Sequence, residues 1–279
     1  MVMSYKIVCD SCTDLPDSLK SDKNIIHIPL TLQVGKDFIK DDDSFDQKDF
    51  IKKMAESSEA PRSACPSPDA FLSEYGSADE VFVITLSGKL SGSFNSAVLA
   101  KKLYLEDHPY AKICVIDSKS ASIGQTLILK KIIEYEAGGL QYPEILPLIK
   151  DFRDNMSTRF VLETLEVFRK NGRLNGITAS VINVLNIKAI MAGDDGNIKK
   201  LDQARGMDRA LLKLSELISG DVKNPENRIL GIAHCNNPKR AQIVKDLILE
   251  RVKFMDTCIV ETRGVSTMYA NDGGIIVAY

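Results

Sequence analysis

The chain has 279 residues, of which 44% are hydrophobic and 27% are charged, and its formal net charge is −2. These proportions are typical of a folded globular protein and exclude a disordered or fibrous chain. Because basic and acidic residues are interspersed, we expect no binding to nucleic acid or to an anionic membrane surface. The length predicts one large domain or two of medium size.

The N-terminal ten residues and the cysteines indicate a compartment. The segment MVMSYKIVCD has no apolar stretch long enough for a signal peptide or a transmembrane helix, so we expect a cytoplasmic protein without stable membrane insertion. Most of the six cysteines lie in apolar runs, which fits buried thiols in a reducing compartment better than a set of disulfides.

The first half of the chain alternates apolar runs with amphipathic patterns. Continuous apolar runs, typical of buried parallel strands, lie at residues 6–10, 25–34, 81–86 and 113–117. Apolar residues three and four positions apart predict helices at residues 46–56, 67–76, 93–107 and 122–137. This alternation predicts the α/β class, with a mainly parallel, doubly wound sheet and right-handed crossovers.

Glycines and prolines between residues 138 and 147 interrupt this pattern, and a different one follows. We therefore predict two domains, residues 1–155 and 156–279, the second with a mixed α/β architecture. Residues 193–197 tolerate positive φ and predict a hairpin turn. The predicted helices of the second domain are 162–170, 177–185, 207–218 and 238–252, and its predicted strands are 188–192, 198–203, 228–235, 257–261 and 274–278.

Loops rich in serine and aspartate follow three of the predicted strands, at residues 10–14, 86–93 and 117–120. Parallel α/β sheets bind ligands at the carboxyl ends of their strands, so these loops are the candidate site. Ser91, Gly92 and Ser93 directly precede a predicted helix, where hydroxyls and backbone amides can bind a small anion. The same serines could instead only cap the helix.

Other site chemistries find less support in the sequence. The glycine-rich motifs of nucleotide-binding loops and the GxSxG motif of hydrolases are absent. Cys9 and Cys12 have CxxC spacing, which a redox dithiol could use, but no second CxxC supplies further zinc ligands. No Ser/His/Asp spacing includes any of the three histidines. We therefore predict no catalytic residue, no metal and no cofactor.

Several stretches resemble the DegV family, and together they span nearly the whole chain. Residues 6–16 are similar to the family's opening strand with its Asp-Ser loop, and residues 61–67 to its TSQPS segment. Residues 86–97 are similar to its LSSxLSGTYxSA loop. Residues 165–174 with 185–190 are similar to its LEYLxKGGRI…LLNIKPIL pattern, and residues 203–206 to its KxRG motif.

The resemblance implies a two-domain DegV-type fold that binds one long-chain fatty acid in a tunnel between the domains and has no catalytic activity of its own. In many bacteria such proteins present the fatty acid to a separate fatty acid kinase subunit. By the same resemblance, Ser63 and Ser91 hydrogen-bond the carboxylate, with Gly92 and Ser93 beside them. Arg205 matches an arginine near that carboxylate, on the side that faces the kinase.

The closing motif of the family, GTHxGPG, is altered in this chain. Tyr269 stands where the family has its histidine, and Ser63 and Cys65 replace the usual threonine and glutamine. A tyrosine can donate a hydrogen bond near the carboxylate but cannot become a cation. The absent histidine leaves open one alternative, a ligand-sensing interaction protein without a kinase partner. A separate alternative is an enzyme, a hydrolase or reductase, that depends on Ser91 or on the Cys9/Cys12 pair.

Overall fold

The computed structural model describes residues 4–76, 78–174 and 186–279. These residues include thirteen strands, which form three sheets, and nine α-helices. The strands are β1 (Tyr5–Asp10), β2 (Ile25–Ile28), β3 (Thr31–Val34), β4 (Asp37–Lys40), β5 (Arg62–Ala64), β6 (Glu80–Thr85), β7 (Lys112–Asp117), β8 (Thr158–Val161), β9 (Ile187–Asp194), β10 (Asn197–Arg205), β11 (Ile229–His234), β12 (Asp256–Glu261) and β13 (Ile275–Ala278). The helices are α1 (Gln47–Glu56), α2 (Pro68–Leu72), α3 (Ser93–Asp107), α4 (Ile123–Ala137), α5 (Tyr142–Asp154), α6 (Glu166–Lys170), α7 (Met207–Asp221), α8 (Pro238–Leu249) and α9 (Gly264–Ala270).

The first sheet is parallel and has the strand order β2-β1-β6-β7. Ile7 and Cys9 of β1 point to one face, where they pack with apolar residues of α4 and α5. Val8 points to the opposite face and packs with residues of α2 and α3. Because helices cover both faces, the strands are buried and read as continuous apolar runs. The predicted doubly wound α/β architecture is confirmed.

The second large sheet is mixed and has the order β10-β9-β8-β13-β11-β12. Its strands pair antiparallel except for β11 and β12, which are parallel. Apolar residues of α7 and α8 cover one face of this sheet. On the other face, Ile123 and Leu127 of α4 pack against β11 and β13. Helix α4 therefore contacts both large sheets.

The single strand predicted at residues 25–34 is wrong, because the chain divides there into β2 and β3. Pro29 separates the two strands and has no N–H to donate to a sheet. The Leu30 N–H donates to Ser11 Oγ at 2.9 Å, and its carbonyl accepts from the Asp41 N–H at 2.9 Å. Strand β3 instead pairs with β4 and β5 in a small antiparallel sheet, and this sheet carries Ser63.

The chain around residue 150 also differs from the prediction. The proline-containing segment forms helix α5, with Pro143 in its first turn, where no N–H is needed, and Pro147 inside the helix. The helix predicted from residue 162 begins only at Glu166, and the preceding β8 was not expected. Helix α9 was not expected either. The helix predicted at 177–185 lies outside the described residues.

The predicted hairpin between β9 and β10 is confirmed. Asp195 and Gly196 form its turn with φ values of 46° and 84°, the two positive angles that a tight two-residue hairpin requires. The predicted division between residues 155 and 156 stays a prediction. Among the helices of the described residues, none combines the length and the apolar character that crossing a bilayer requires.

Candidate functional site

A cavity of about 330 Å³ lies where the carboxyl-end loops of the parallel sheet meet β5, α9 and the α4-facing side of the mixed sheet. This volume is within the range of small-molecule sites. Most of its wall is apolar. Representative wall residues are Leu30, Leu86, Phe160, Phe168, Ile198 and Val265. The loops that the sequence indicated as the candidate site therefore do border a cavity that can hold an apolar ligand.

Ser63, Ser91, Gly92, Arg173 and Tyr269 all line the cavity, and the part of the wall that they form is here called the mouth. Strand β5 meets the start of α3 here, and a Cβ added to Gly92 would lie 2.9 Å from Cys65 Sγ. A side chain at position 92 would therefore press on the Cys65 side chain, which directly follows β5. Among the candidate residues, the structure brings Ser63, Ser91, Gly92 and Tyr269 to the wall of this cavity.

The two serine hydroxyls at the mouth have donor capacity left. Ser91 Oγ accepts a hydrogen bond from the Ser93 N–H at 3.2 Å, which leaves its own O–H free to donate. In the described part of the chain, the Ser63 hydroxyl has no hydrogen-bond partner. Both serines line the cavity, so an anionic group at the mouth could accept from both.

The segment after α6 closes the mouth and adds a positive charge. Arg173 Nε donates to the Leu90 carbonyl at 3.1 Å, and Asn171 Nδ2 donates to the Pro61 carbonyl at 3.0 Å. The Tyr269 hydroxyl lies 3.5 Å from Asn171 Nδ2, and its ring packs on Phe168 at a centroid distance of 4.5 Å. Arg173 forms no ion pair with any described residue. Its guanidinium charge is therefore available to a ligand.

A second polar part of the cavity wall is formed by Lys119, Ser120 and Thr158, and its groups are already paired. Ser120 Oγ and Thr158 Oγ1 are 2.7 Å apart and hydrogen-bonded. Lys119 Nζ lies 2.6 Å from Asp195 Oδ1 and 3.4 Å from Asp154 Oδ1. The positive charge here is compensated, so an anionic head group is favoured at the mouth rather than at this side.

The structure separates Ser93 from the other candidate residues. Its hydroxyl is fully buried, does not border the cavity and donates to Asp10 Oδ2 at 2.6 Å. The same carboxylate accepts from the Leu86 N–H at 2.8 Å and from Gln125 Nε2 at 2.9 Å. Burial raises the pKa of Asp10, while these hydrogen bonds oppose the shift. Ser93 thus holds the loop in place from behind the cavity wall.

Arg205 was a candidate site residue and Arg173 was not, but the structure places Arg173, and not Arg205, at the cavity. Arg205 ends β10 with an exposed side chain and does not line the cavity. Arg173, which does line it, lies just beyond the helix predicted at residues 162–170. The signal was present, because Arg173 belongs to the stretch that most resembles the family's KGGRI pattern, but no role was assigned to it.

The alternative site at Cys9 and Cys12 has unfavourable chemistry. Both thiols are buried, and burial raises the pKa of each. Redox exchange and zinc binding need the thiolate, which this environment disfavours. Cys12 borders the cavity, and its Sγ lies 3.7 Å from Ser266 Oγ. Its position fits a wall residue.

The fold and the cavity define the class: an α/β protein with a parallel sheet, a mixed sheet and an apolar cavity with a polar mouth. Residues 4–279 match the family model described as "Uncharacterised protein, DegV family", and the chain belongs to the DegV family. It is 37% identical over 281 residues to a DegV domain-containing protein of Streptococcus gordonii, an alignment that covers 99% of each chain.

Solved structures of related proteins show the same fold. A DegV family protein of Ruminococcus gnavus, refined with vaccenic acid, has a TM-score of 0.96 and 42% identity, covering 99% of this chain and 100% of that one. The Streptococcus pneumoniae Fatty Acid Kinase (Fak) B3 protein, loaded with linoleic acid, has a TM-score of 0.92 and 33% identity, covering 99% of both chains.

Proposed function

We propose that this protein binds one long-chain fatty acid in the cavity, between the two predicted domains, with the carboxylate at the mouth. Ser63, Ser91 and the backbone of Gly92 would hydrogen-bond the carboxylate, and Arg173 would supply the compensating charge. The observation that carries the proposal is an apolar cavity whose wall includes, at the mouth, two hydroxyls with free donor capacity and a guanidinium that forms no ion pair with any described residue. The vaccenic acid and linoleic acid in the two similar structures support it.

An apolar cavity wall favours the binding of such a ligand, because the free energy of burying its methylenes is large. Burying about fifteen methylenes at roughly 0.8 kcal/mol each offers about 12 kcal/mol before the costs of ordering the ligand. A carboxylate without partners would lose several kcal/mol of hydration (on the order of 5) on entering the cavity. The hydroxyl donors and the guanidinium at the mouth replace that hydration. Neither a catalytic residue nor a cofactor is needed for this role.

We also propose that the bound carboxylate is presented to a fatty acid kinase, which would form the acyl phosphate. The likeness to the Fatty Acid Kinase (Fak) B3 protein supports this partner, and the exposed Arg205 is the proposed contact on the kinase side. We place this exchange in the cytoplasm, which the six free cysteines of the described residues support. Tyr269, in place of the family histidine, favours a second candidate, a fatty-acid-sensing protein without a kinase partner.

Mass spectrometry of the denatured, purified protein tests the binding proposal. We expect about one long-chain fatty acid per chain, and we expect lipid-free protein to bind added oleate or palmitate. Protein that carries no fatty acid and binds neither compound would refute the proposal. Adding a fatty acid kinase and ATP to the loaded protein then separates the two candidates, because acyl phosphate forms only if the kinase accepts this carrier.

A further inference from the structure

The start of helix α9 is held by residues from the other end of the chain. This helix contributes Val265, Ser266, Tyr269 and Ala270 to the cavity wall. With only seven residues, it has little stability of its own. Its place therefore depends on tertiary contacts, among them those at its first turn.

Asp41, which follows β4, contacts two consecutive amides of this first turn. Its Oδ1 accepts from the Gly264 N–H and its Oδ2 from the Val265 N–H, each at 2.9 Å. Ser11 Oγ donates to the same Oδ2 at 2.9 Å. A Cβ on Gly264 would lie 2.2 Å from the Asp41 carboxyl carbon, so this close approach requires glycine.

Asp14, in the loop after β1, contacts the preceding amide. Its Oδ1 accepts from the Arg263 N–H at 2.6 Å, and its Oδ2 accepts from Ser122 Oγ at 2.5 Å. Three consecutive amides, at residues 263, 264 and 265, thus donate to two carboxylates that are both fully buried. The N-terminal half of the chain fixes the position of α9 through these bonds.

These bonds exist although burial disfavours charge at both carboxylates. Burial raises the pKa of Asp41 to about 6 and that of Asp14 to about 7, and the hydrogen bonds to each group oppose the shift. The two carboxylates also face each other's charge. Other charged or titratable groups close to them are Arg263, His27, Lys20, Asp42, Asp43 and the Cys12 thiol.

We infer that Asp14 and Asp41 are positioning residues for the head-group site, because they fix the start of α9 and so hold Tyr269 and Ser266 in the cavity wall. The inference rests on the proposed function, since it concerns how the fatty acid carboxylate is recognised. It predicts that loosening the first turn of α9 weakens recognition of the carboxylate more than it weakens binding of the acyl chain.

The test compares Asp41→Asn with Asp14→Asn, using Asp43→Asn as the matched control. Asn at 41 presents an NH2 group to an amide that needs an acceptor, whereas Asn at 14 can still accept from the Arg263 N–H and donate to Ser122. Asp43 lies in the same loop and faces Arg263 at 3.3 Å, and its exposed carboxylate forms no bond to the amides of α9. The expected order of effects is Asp41→Asn, then Asp14→Asn, then Asp43→Asn.

Two measurements are made on each lipid-free variant. Hydrogen–deuterium exchange at amides 264 and 265 should accelerate by about tenfold or more in Asp41→Asn and stay unchanged in Asp43→Asn. Binding of oleate and of oleyl alcohol is then measured by calorimetry. The ratio of oleate to oleyl alcohol affinity should fall by about tenfold in Asp41→Asn, because only oleate needs the carboxylate site.

The outcomes separate this inference from the function on which it rests. Unchanged exchange in Asp41→Asn, or an unchanged affinity ratio, overturns the inference while wild-type oleate binding upholds the function. Equal losses for oleate and oleyl alcohol also overturn it, because they indicate general destabilisation. If the wild type binds neither compound, the proposed function fails and the inference fails with it. Should Asp41→Asn not fold, the same comparison of Asp14→Ala, which removes the acceptor of the Arg263 N–H, with Asp43→Ala decides, with exchange followed at amide 263.

Discussion

The carboxylate network, formed by Asp10, Asp14 and Asp41, differs from the cavity mouth in how its polar groups are used. Each of the three buried carboxylates accepts two or more hydrogen bonds from the protein. At the mouth, the Ser63 and Ser91 hydroxyls and the Arg173 guanidinium keep unused capacity. Satisfied polar groups stabilise the loops, whereas unsatisfied ones beside a cavity mark where a ligand binds. Variants at the mouth should therefore change oleate affinity directly, whereas variants of the network should change stability and reach the carboxylate site only through helix α9.

The largest expected effect concerns the network and pH. Asp14 has its pKa raised to about 7 by burial, so folding favours its protonated form. An unfolded Asp14 has its ordinary pKa, 3.8, and releases its proton first. The free energy of unfolding should therefore fall as pH rises from about 4 to about 7, by on the order of 4 kcal/mol from this group. Urea unfolding of wild type and Asp14→Asn measures the effect. Equal pH slopes would contradict it.

Next in size is the loss of both hydroxyls at the mouth. The double variant Ser63→Ala/Ser91→Ala should bind oleate about a hundredfold more weakly, because two hydrogen bonds to a charged group are lost. Its thermal unfolding should change little, since neither hydroxyl donates to the protein in the described structure. Calorimetry and thermal melts test both halves. A large fall in stability with intact affinity would mean that these serines belong with the network.

Ser93→Ala should show the reverse behaviour at a neighbouring position. Removing this hydroxyl takes a 2.6 Å donor away from the buried Asp10 carboxylate, at an expected cost of about 2 kcal/mol in unfolding free energy. Oleate affinity should stay within about twofold of the wild type, because Ser93 does not border the cavity. An affinity loss as large as that of the Ser63/Ser91 variant would show that Ser93 acts at the mouth.

The smallest effect compares the two arginines. Arg173→Gln should weaken oleate binding by about tenfold, and added salt should reduce the difference from the wild type. Arg205→Gln should leave oleate affinity unchanged, because its side chain lies outside the cavity. If a kinase uses the exposed Arg205, this variant should lower acyl phosphate formation instead. Weaker oleate binding by Arg205→Gln would contradict this division of roles.

Local patterns in the sequence predicted most elements because buried strands and amphipathic helices have distinct spacings. The prediction of elements from sequence patterns failed where one local pattern is compatible with two different structures. Residues 25–34 form one mainly apolar run, yet β2 and β3 within it belong to different sheets. A proline usually ends or kinks a helix, but Pro147 lies inside α5. The strand order of the mixed sheet depends on pairings between distant segments, which no spacing along the chain reveals.

The site was predictable to the extent that loops and motifs identify it. Ser63 and Ser91 were named from the resemblance, and both line the cavity. Whether a hydroxyl faces a ligand or a buried carboxylate is decided by packing, which explains why Ser93 could not be distinguished from Ser91. Arg173 could not be ranked above Arg205, because only the folded chain shows which guanidinium lies beside the cavity.

The central place of β13 has a consequence for how the protein is made. This strand lies between β8 and β11 and pairs antiparallel with each. During synthesis, β8 and β11 leave the ribosome before their shared neighbour, so each has an open edge until residues 275–278 follow. Nascent chains that pause before β13 has been synthesised expose the unpaired edges of β8 and β11, and such edges promote aggregation. The mixed sheet therefore cannot be completed until β13 has been synthesised.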